Sequence, residues 1–157
     1  MTSGDEVQLV VFRVGSQMFA LNIFQVERVL RYQEATPLPG APSFLEGVFP
    51  YGERSVPLVD LRKRFGEPAR VRDDTRVIIL SDDDGGVGIV VDAVLAVRKV
   101  GAEEVQSPSR MLTGLAAECV QATIVADDRT IVLLAAGRLL TTTEQIALRD
   151  LQAEATG

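Results

Sequence analysis

The feature that most constrains this chain is a recurrence of short apolar, β-branched runs separated by turn residues. VQLVVFRV (7–14), QMFALNI (17–23), VPLV (56–59), TRVIILSD (75–82), GVGIVVDAV (86–94), AVRKV (96–100), CVQATIVAD (119–127) and RTIVLLAA (129–136) each have the length and composition of a strand. Gly15 with Ser16, Tyr51 to Glu53, Asp82 to Gly86, and Asp127 with Asp128 supply turns between them. About eight or nine strands at intervals of roughly 8 to 15 residues predict small barrels rather than a parallel sheet. The fold class is therefore mostly β: two interwoven five-stranded barrels of SH3 or OB type sharing a seam, read as a single domain over 1–157.

Helices should be few. FQVERVL (24–30) puts Val26, Val29 and Leu30 at helical spacing, which predicts one or two helical turns. ATPLPGAP (35–42) is an extended connector, and GEPARVRDD (66–74) and QSPSRMLTG (106–114) are loops. The first six residues should be a flexible head. TTTEQIALRDLQAEA (141–155) reads as a helix, with Thr141 and Glu144 as a capping box and Ala147, Leu148, Leu151 and Ala155 on one side.

The stretch VPLVDLRKRF (56–65) joins an apolar strand to a carboxylate and three bases. Pro57 cannot donate a ladder hydrogen bond, so its strand should lie at an edge or bend there. Asp60 is placed as the N-cap of a short helix, with Leu61 and Phe65 on one face. Arg62, Lys63 and Arg64, with Arg70 and Arg72, then form a solvated basic face interleaved with Glu67, Asp73 and Asp74.

Composition narrows the function. With 46% hydrophobic residues the chain can bury a core. No run of about 18 apolar residues and no basic leader occur, so neither a membrane span nor a signal peptide is expected, and the reading is cytoplasmic. Cys119 is the single cysteine, expected as a buried small hydrophobe in a reducing compartment. Histidine is absent, which removes the commonest general base and metal ligand. No cofactor or metal is therefore expected, and no catalytic residue. Asp60 and Asp92 could be a carboxylate pair for acid–base work, but each ends a strand, where a cap or turn role is ordinary. Asp82-Asp83-Asp84-Gly85 lacks the further ligands of a calcium loop and reads as a solvated turn. A net charge of −6 opposes nucleic-acid binding, and an oligonucleotide-binding barrel would need stacked aromatics that two tyrosines, six phenylalanines and no tryptophan do not suggest.

The order of FALNIFQV, TPLPGAPSFLEGV, VPLVDLRKRFG, RVIIL and GIVVDAV, ending in a strand and LL before a helix, resembles the CheW-like coupling proteins of bacterial chemotaxis over about residues 7 to 150. The most specific fragment is GV, a four-residue turn and VPLVDLRKRF, which is similar to the family's GV-NLRG-x-VIPVVDLRxRF. The resemblance implies a non-enzymatic adaptor that docks chemoreceptor cytoplasmic tips to the regulatory domain of a CheA-type histidine kinase. It implies partner contacts at Val26, Arg28 and Val29, at the turn Pro50, Tyr51, Gly52, Glu53 and Arg54, and at Val97, with no nucleic acid and no membrane insertion. Several positions depart from the family. The NLRG turn is replaced by Pro50 to Glu53, its arginine falling on Gly52; a glutamate usual after the second strand falls on Arg28, a glycine on Ala122 and an aspartate on Ala135. These changes leave room for a scaffold in another two-component sensory pathway, such as surface motility. They also suggest that an acid and a base have exchanged ends, with Arg28 pairing Glu53.

Overall fold

Runs such as VQLVVFRV, RVIIL, GIVV and IVLL do not alternate apolar with polar, because both faces of these strands are buried. The computed structural model describes residues 6–81, 86–107, 118–126, 128–140 and 144. Among the described residues, eleven strands form two sheets. In chain order they are β1 Val7–Val14, β2 Gln17–Asn22, β3 Val26–Arg31, β4 Leu45–Tyr51, β5 Arg54–Asp60, β6 Arg76–Leu80, β7 Gly88–Val91, β8 Ala93–Val100, β9 Val105–Gln106, β10 Val120–Ala126 and β11 Arg129–Leu134. One sheet runs β8-β1-β2-β11-β10-β9 and the other β3-β6-β7-β5-β4. The chain thus begins in the first sheet, builds the second from β3 to β7, and returns to complete the first.

The sixth strand of the first sheet follows from a bend. β8 pairs with β1, passes through Gly101 and a 3-10 turn at Ala102–Glu104, and continues as β9 beside β10. Its two edges are therefore one bent stretch of chain, so the expected five strands appear as six segments. The second sheet also brings its edges together. The segment after β3 reaches β4 through a Thr36–Val48 bridge, with Thr36 N donating to the Val48 carbonyl at 2.7 Å and Val48 N returning to Thr36 at 3.0 Å.

Side-chain alternation sorts the core into three clusters. Leu9, Val11, Ala20, Ile124, Ile131 and Leu133 fill the first sheet, and Phe49, Val56, Leu58, Val77, Ile79 and Val90 fill the second. The intervening residues of the same strands, Phe12, Phe19, Leu21, Val132 and Leu134 from one sheet and Val59, Ile78, Leu80, Ile89 and Val91 from the other, meet in a shared cluster. The Phe12 and Phe19 rings stack at 6.0 Å within it, and Phe65 lies 5.2 Å from Phe19.

Three expectations need correction. Val26 to Leu30 form a strand, with the helical turn limited to a 3-10 turn at Ile23–Gln25 capped by Asn22. Valines at helical spacing suit an extended edge equally well, and pairing with β6 decides for it. Of the two alternatives for Pro57 the edge is excluded, since its strand is an inner one; the parallel ladder from β5 to β7 starts at Leu58, one residue past the proline. Arg62 and Arg64 do not belong to a solvated face: Arg62 is 1% exposed, and the Arg64 side chain 6%. The expected flexible head falls on residues of which only Glu6 is described; the turn at 82–85, most of the loop at 106–114, Asp127 and the helix at 141–155 apart from Glu144 lie outside the described residues.

Candidate partner-binding surface

The β4–β5 hairpin turns on Gly52 and Glu53, with Tyr51 paired to Arg54 across its neck. Gly52 has φ +61 at the first turn position, a conformation glycine adopts without cost. Opposite, β3 carries a bulge between Val26 and Arg28, and Glu27 is the extra residue. Its side chain crosses to the hairpin, where its carboxylate accepts from Arg54 Nη2 at 2.9 Å. The Arg54 guanidinium lies over the Tyr51 ring, 5.3 Å from its centroid. The bond from its hydroxyl to Glu27, then its burial and the carboxylate's charge, raise the Tyr51 pKa above its ordinary value against the opposing charges of Arg28 and Arg54.

This cluster corrects the expected ion pair. The acid and base that meet are Glu27 and Arg54; Arg28 and Glu53 make no ion pair with each other among the described residues. Glu53 occupies the turn tip, so the first side chain aimed along the hairpin neck is Arg54. Glu27 was not singled out from the sequence, and reading 26–30 as an extended edge is the signal that finds it. The exposed ring around the cluster comprises Arg28, Val29 at 39% exposure, Pro50, Gly52 and Glu53, with Val26 half-buried against the shared core. Val97 lies in the other sheet: it is 60% exposed on β8, where Leu95 is 47% exposed.

At the far end of β5 from the hairpin lies a buried charge network. Asp60 caps the short helix α1, Leu61–Arg64, by accepting from the Arg62 amide at 3.0 Å. The Arg62 side chain folds back to give Asp60 a two-pronged bond, Nε to Oδ1 and Nη2 to Oδ2, each 3.0 Å. Its Nη1 donates to the Arg70 carbonyl at 2.6 Å and to Asp92 at 3.2 Å. The other Asp92 oxygen accepts from the Gly15 amide at 2.7 Å, fastening the β1–β2 turn. Burial pulls the Arg62 pKa down, and the bonds to Asp60 and Asp92 outweigh it, so the guanidinium stays charged. Asp60 and Asp92 thus serve as counter-ions to an arginine.

Comparison with known proteins places this architecture. The CheW-like domain model matches residues 8–144. The chain belongs to the CheW-like family. It is 29% identical over 152 residues to the chemotaxis protein CheW of Treponema pallidum, covering 94% of this chain and 89% of that protein. It is 35% identical over 107 residues to CheW of Rhizobium meliloti, 68% of each chain, and 31% identical over 104 residues to protein FrzA of Myxococcus xanthus, 66% and 65%. Among solved structures, the scaffolding protein TtCheW from Thermoanaerobacter tengcongensis superposes with TM-score 0.78 at 27% identity, over 88% of this chain and 94% of that one.

Proposed function

We propose that this CheW-like chain is a non-enzymatic cytoplasmic adaptor that couples chemoreceptor tips to the regulatory domain of a CheA-type histidine kinase. The observation that carries the reading is the family match over residues 8–144 together with its likeness to a solved scaffolding protein. The Glu27–Tyr51–Arg54 cluster gives it a contact surface: a half-buried ring held by an ion pair is an anchor with little left to order on binding. Val26 and Val29 on β3 and Val97 on β8 supply apolar contact for a protein partner. Individually weak contacts then become effective through multivalency.

Titration of the cognate kinase regulatory domain tests this. Micromolar binding is expected, weakened about tenfold or more by Tyr51→Ala. The rebuilt turn, with Gly52 where the family has arginine, favours a second reading, a scaffold in another two-component sensory pathway. Binding to neither that kinase nor the receptor tip would select it.

A further inference from the structure

A cavity of about 430 Å³ opens between the β1–β2 turn and the loop that follows α1, lined by Arg13, Arg70 and Arg72 together with Gly15, Asp74 and Asp92. Three arginines on one cavity are unexpected in a chain of net charge −6. The carboxylates nearby do not account for them. Asp92 is committed to Arg62 and to the Gly15 amide. Asp74 approaches Arg13 Nη2 only to 3.8 Å, between side chains 38% and 59% exposed, while Arg13 Nη1 donates to the Gly15 carbonyl at 2.9 Å. Glu67 stands over Gly15, where an added Cβ would meet its carboxyl group. The side chains of Arg70 and Arg72 have neither a hydrogen-bond nor an ion-pair partner among the described residues.

These two arginines are nonetheless held in place at the backbone. The Arg70 carbonyl is tied to buried Arg62 at 2.6 Å. The Arg72 amide donates to Thr75 Oγ1 at 2.8 Å, and the Thr75 amide returns to the Arg72 carbonyl at 3.1 Å, with Thr75 only 1% exposed. Both residues are exposed, so their side chains can reach a ligand that enters the cavity from solvent. One carboxylate is satisfied by a single guanidinium fork. A phosphate monoester brings nearly two negative charges and three acceptor oxygens, which suits two or three arginines.

We propose that this cavity binds a phosphate monoester, with Arg70 and Arg72 as its principal donors and Arg13 turning from Asp74 toward it. The phosphate is carried either by a small metabolite or by a phosphorylated side chain; the chemistry at the site is the same. The proposal does not rest on the adaptor reading. It is tested by 15N NMR titration of the full chain at constant ionic strength with inorganic phosphate, phosphoserine, a nucleoside monophosphate and, as a carboxylate control, glutamate. Saturable shifts of the Gly15, Arg70 and Arg72 amides are expected with the phosphate probes, with glutamate weaker by about tenfold. The double change Arg70→Gln and Arg72→Gln should raise the phosphate Kd about tenfold or more, and Lys99→Gln on remote β8 should not. Tighter binding of phosphoserine assigns a phosphorylated side chain, and tighter binding of the nucleotide a metabolite. Absence of saturable shifts, glutamate binding as well as phosphate, or unchanged phosphate binding by the double variant overturns it.

Discussion

Arg62 is the residue on which most depends. Its fully buried guanidinium joins Asp60 at the end of β5, Asp92 after β7, and the loop carbonyl of Arg70. A buried ion pair adds little against an apolar replacement of the whole group, but removing one member strands the others. Arg62→Ala leaves Asp60, 1% exposed, without its counter-ion, and chemical denaturation should show a loss of about 3–5 kcal/mol. Arg62→Lys should recover only part of this, because an ammonium cannot make the two-pronged bond. A loss below about 1 kcal/mol for Arg62→Ala would mean that water replaces the guanidinium. Cys119 gives a second residue-scale expectation. Its thiol is 2% exposed, its Sγ donates to the Arg138 carbonyl at 3.2 Å, and burial raises its pKa above the ordinary 9.0. A raised value means the folded state holds this proton more tightly. That stabilisation is complete below the ordinary value and is lost as pH rises through the folded one. At pH 8 the native thiol should react with a disulfide reagent at least about tenfold more slowly than the denatured chain. Equal rates would show Cys119 to be accessible.

At the scale of elements, the short helix α1 distributes three consecutive bases to three places. Arg62 turns inward, Lys63 donates to Glu46 on β4 at 2.7 Å, and Arg64 reaches Glu144 at 2.7 Å while lying over the Phe44 ring at 4.8 Å. The helix therefore ties β5, β4 and the C-terminal segment together. Closure of the five-stranded sheet rests on another local feature, Gly47. It has φ +138, and a Cβ there would fall 2.0 Å from the Thr36 carbonyl oxygen that makes the closing bridge. Gly47→Ala should cost about 3 kcal/mol or more through strain and loss of the bridge, visible as a lowered denaturation midpoint. A shift of only a few tenths would show that the bridge is dispensable. Most strands, and the turns at Gly15 and Gly52, were legible in the sequence because β-branched runs and turn residues report on local conformation. Asp60 as a helix cap was legible for the same reason. The destinations of Arg62 and Arg64 were not, since a run of bases looks alike whether it faces water or a counter-ion supplied by Asp92 or Glu144 from far along the chain. The Glu27–Arg54 contact was missed by one residue at each end. A bulge sets which β3 residue turns outward, and the length of the hairpin turn sets which base begins β5, and neither is fixed by local propensity.

For the whole molecule, the question is whether two sheets make two folding units or one. Each has its own cluster, so each has a core that separate unfolding would retain. Against that stands the shared cluster, which takes alternate residues from β1, β2, β5, β6, β7 and β11. Every strand contributing to it has its opposite face in one of the private clusters, so opening either sheet exposes part of the common core. Asp92, in the connection between β7 and β8, reinforces the seam by holding Arg62 of one sheet's helix and Gly15 of the other sheet's turn. Connectivity acts in the same direction: β1 and β2 cannot complete their sheet until β8 to β11 return after the second sheet is built. One cooperative transition is expected. The chain carries its own probe for this, since it has no tryptophan and both its tyrosines, Tyr32 and Tyr51, pack against the cluster of the five-stranded sheet. Tyrosine fluorescence therefore reports that sheet alone, whereas far-UV circular dichroism reports both. In urea the two signals should share a midpoint and slope, and Ile78→Ala in the shared cluster should lower both midpoints together by the equivalent of about 2–5 kcal/mol. A tyrosine transition separated from the dichroism transition would show that the seam is too weak to bind the two sheets into one unit.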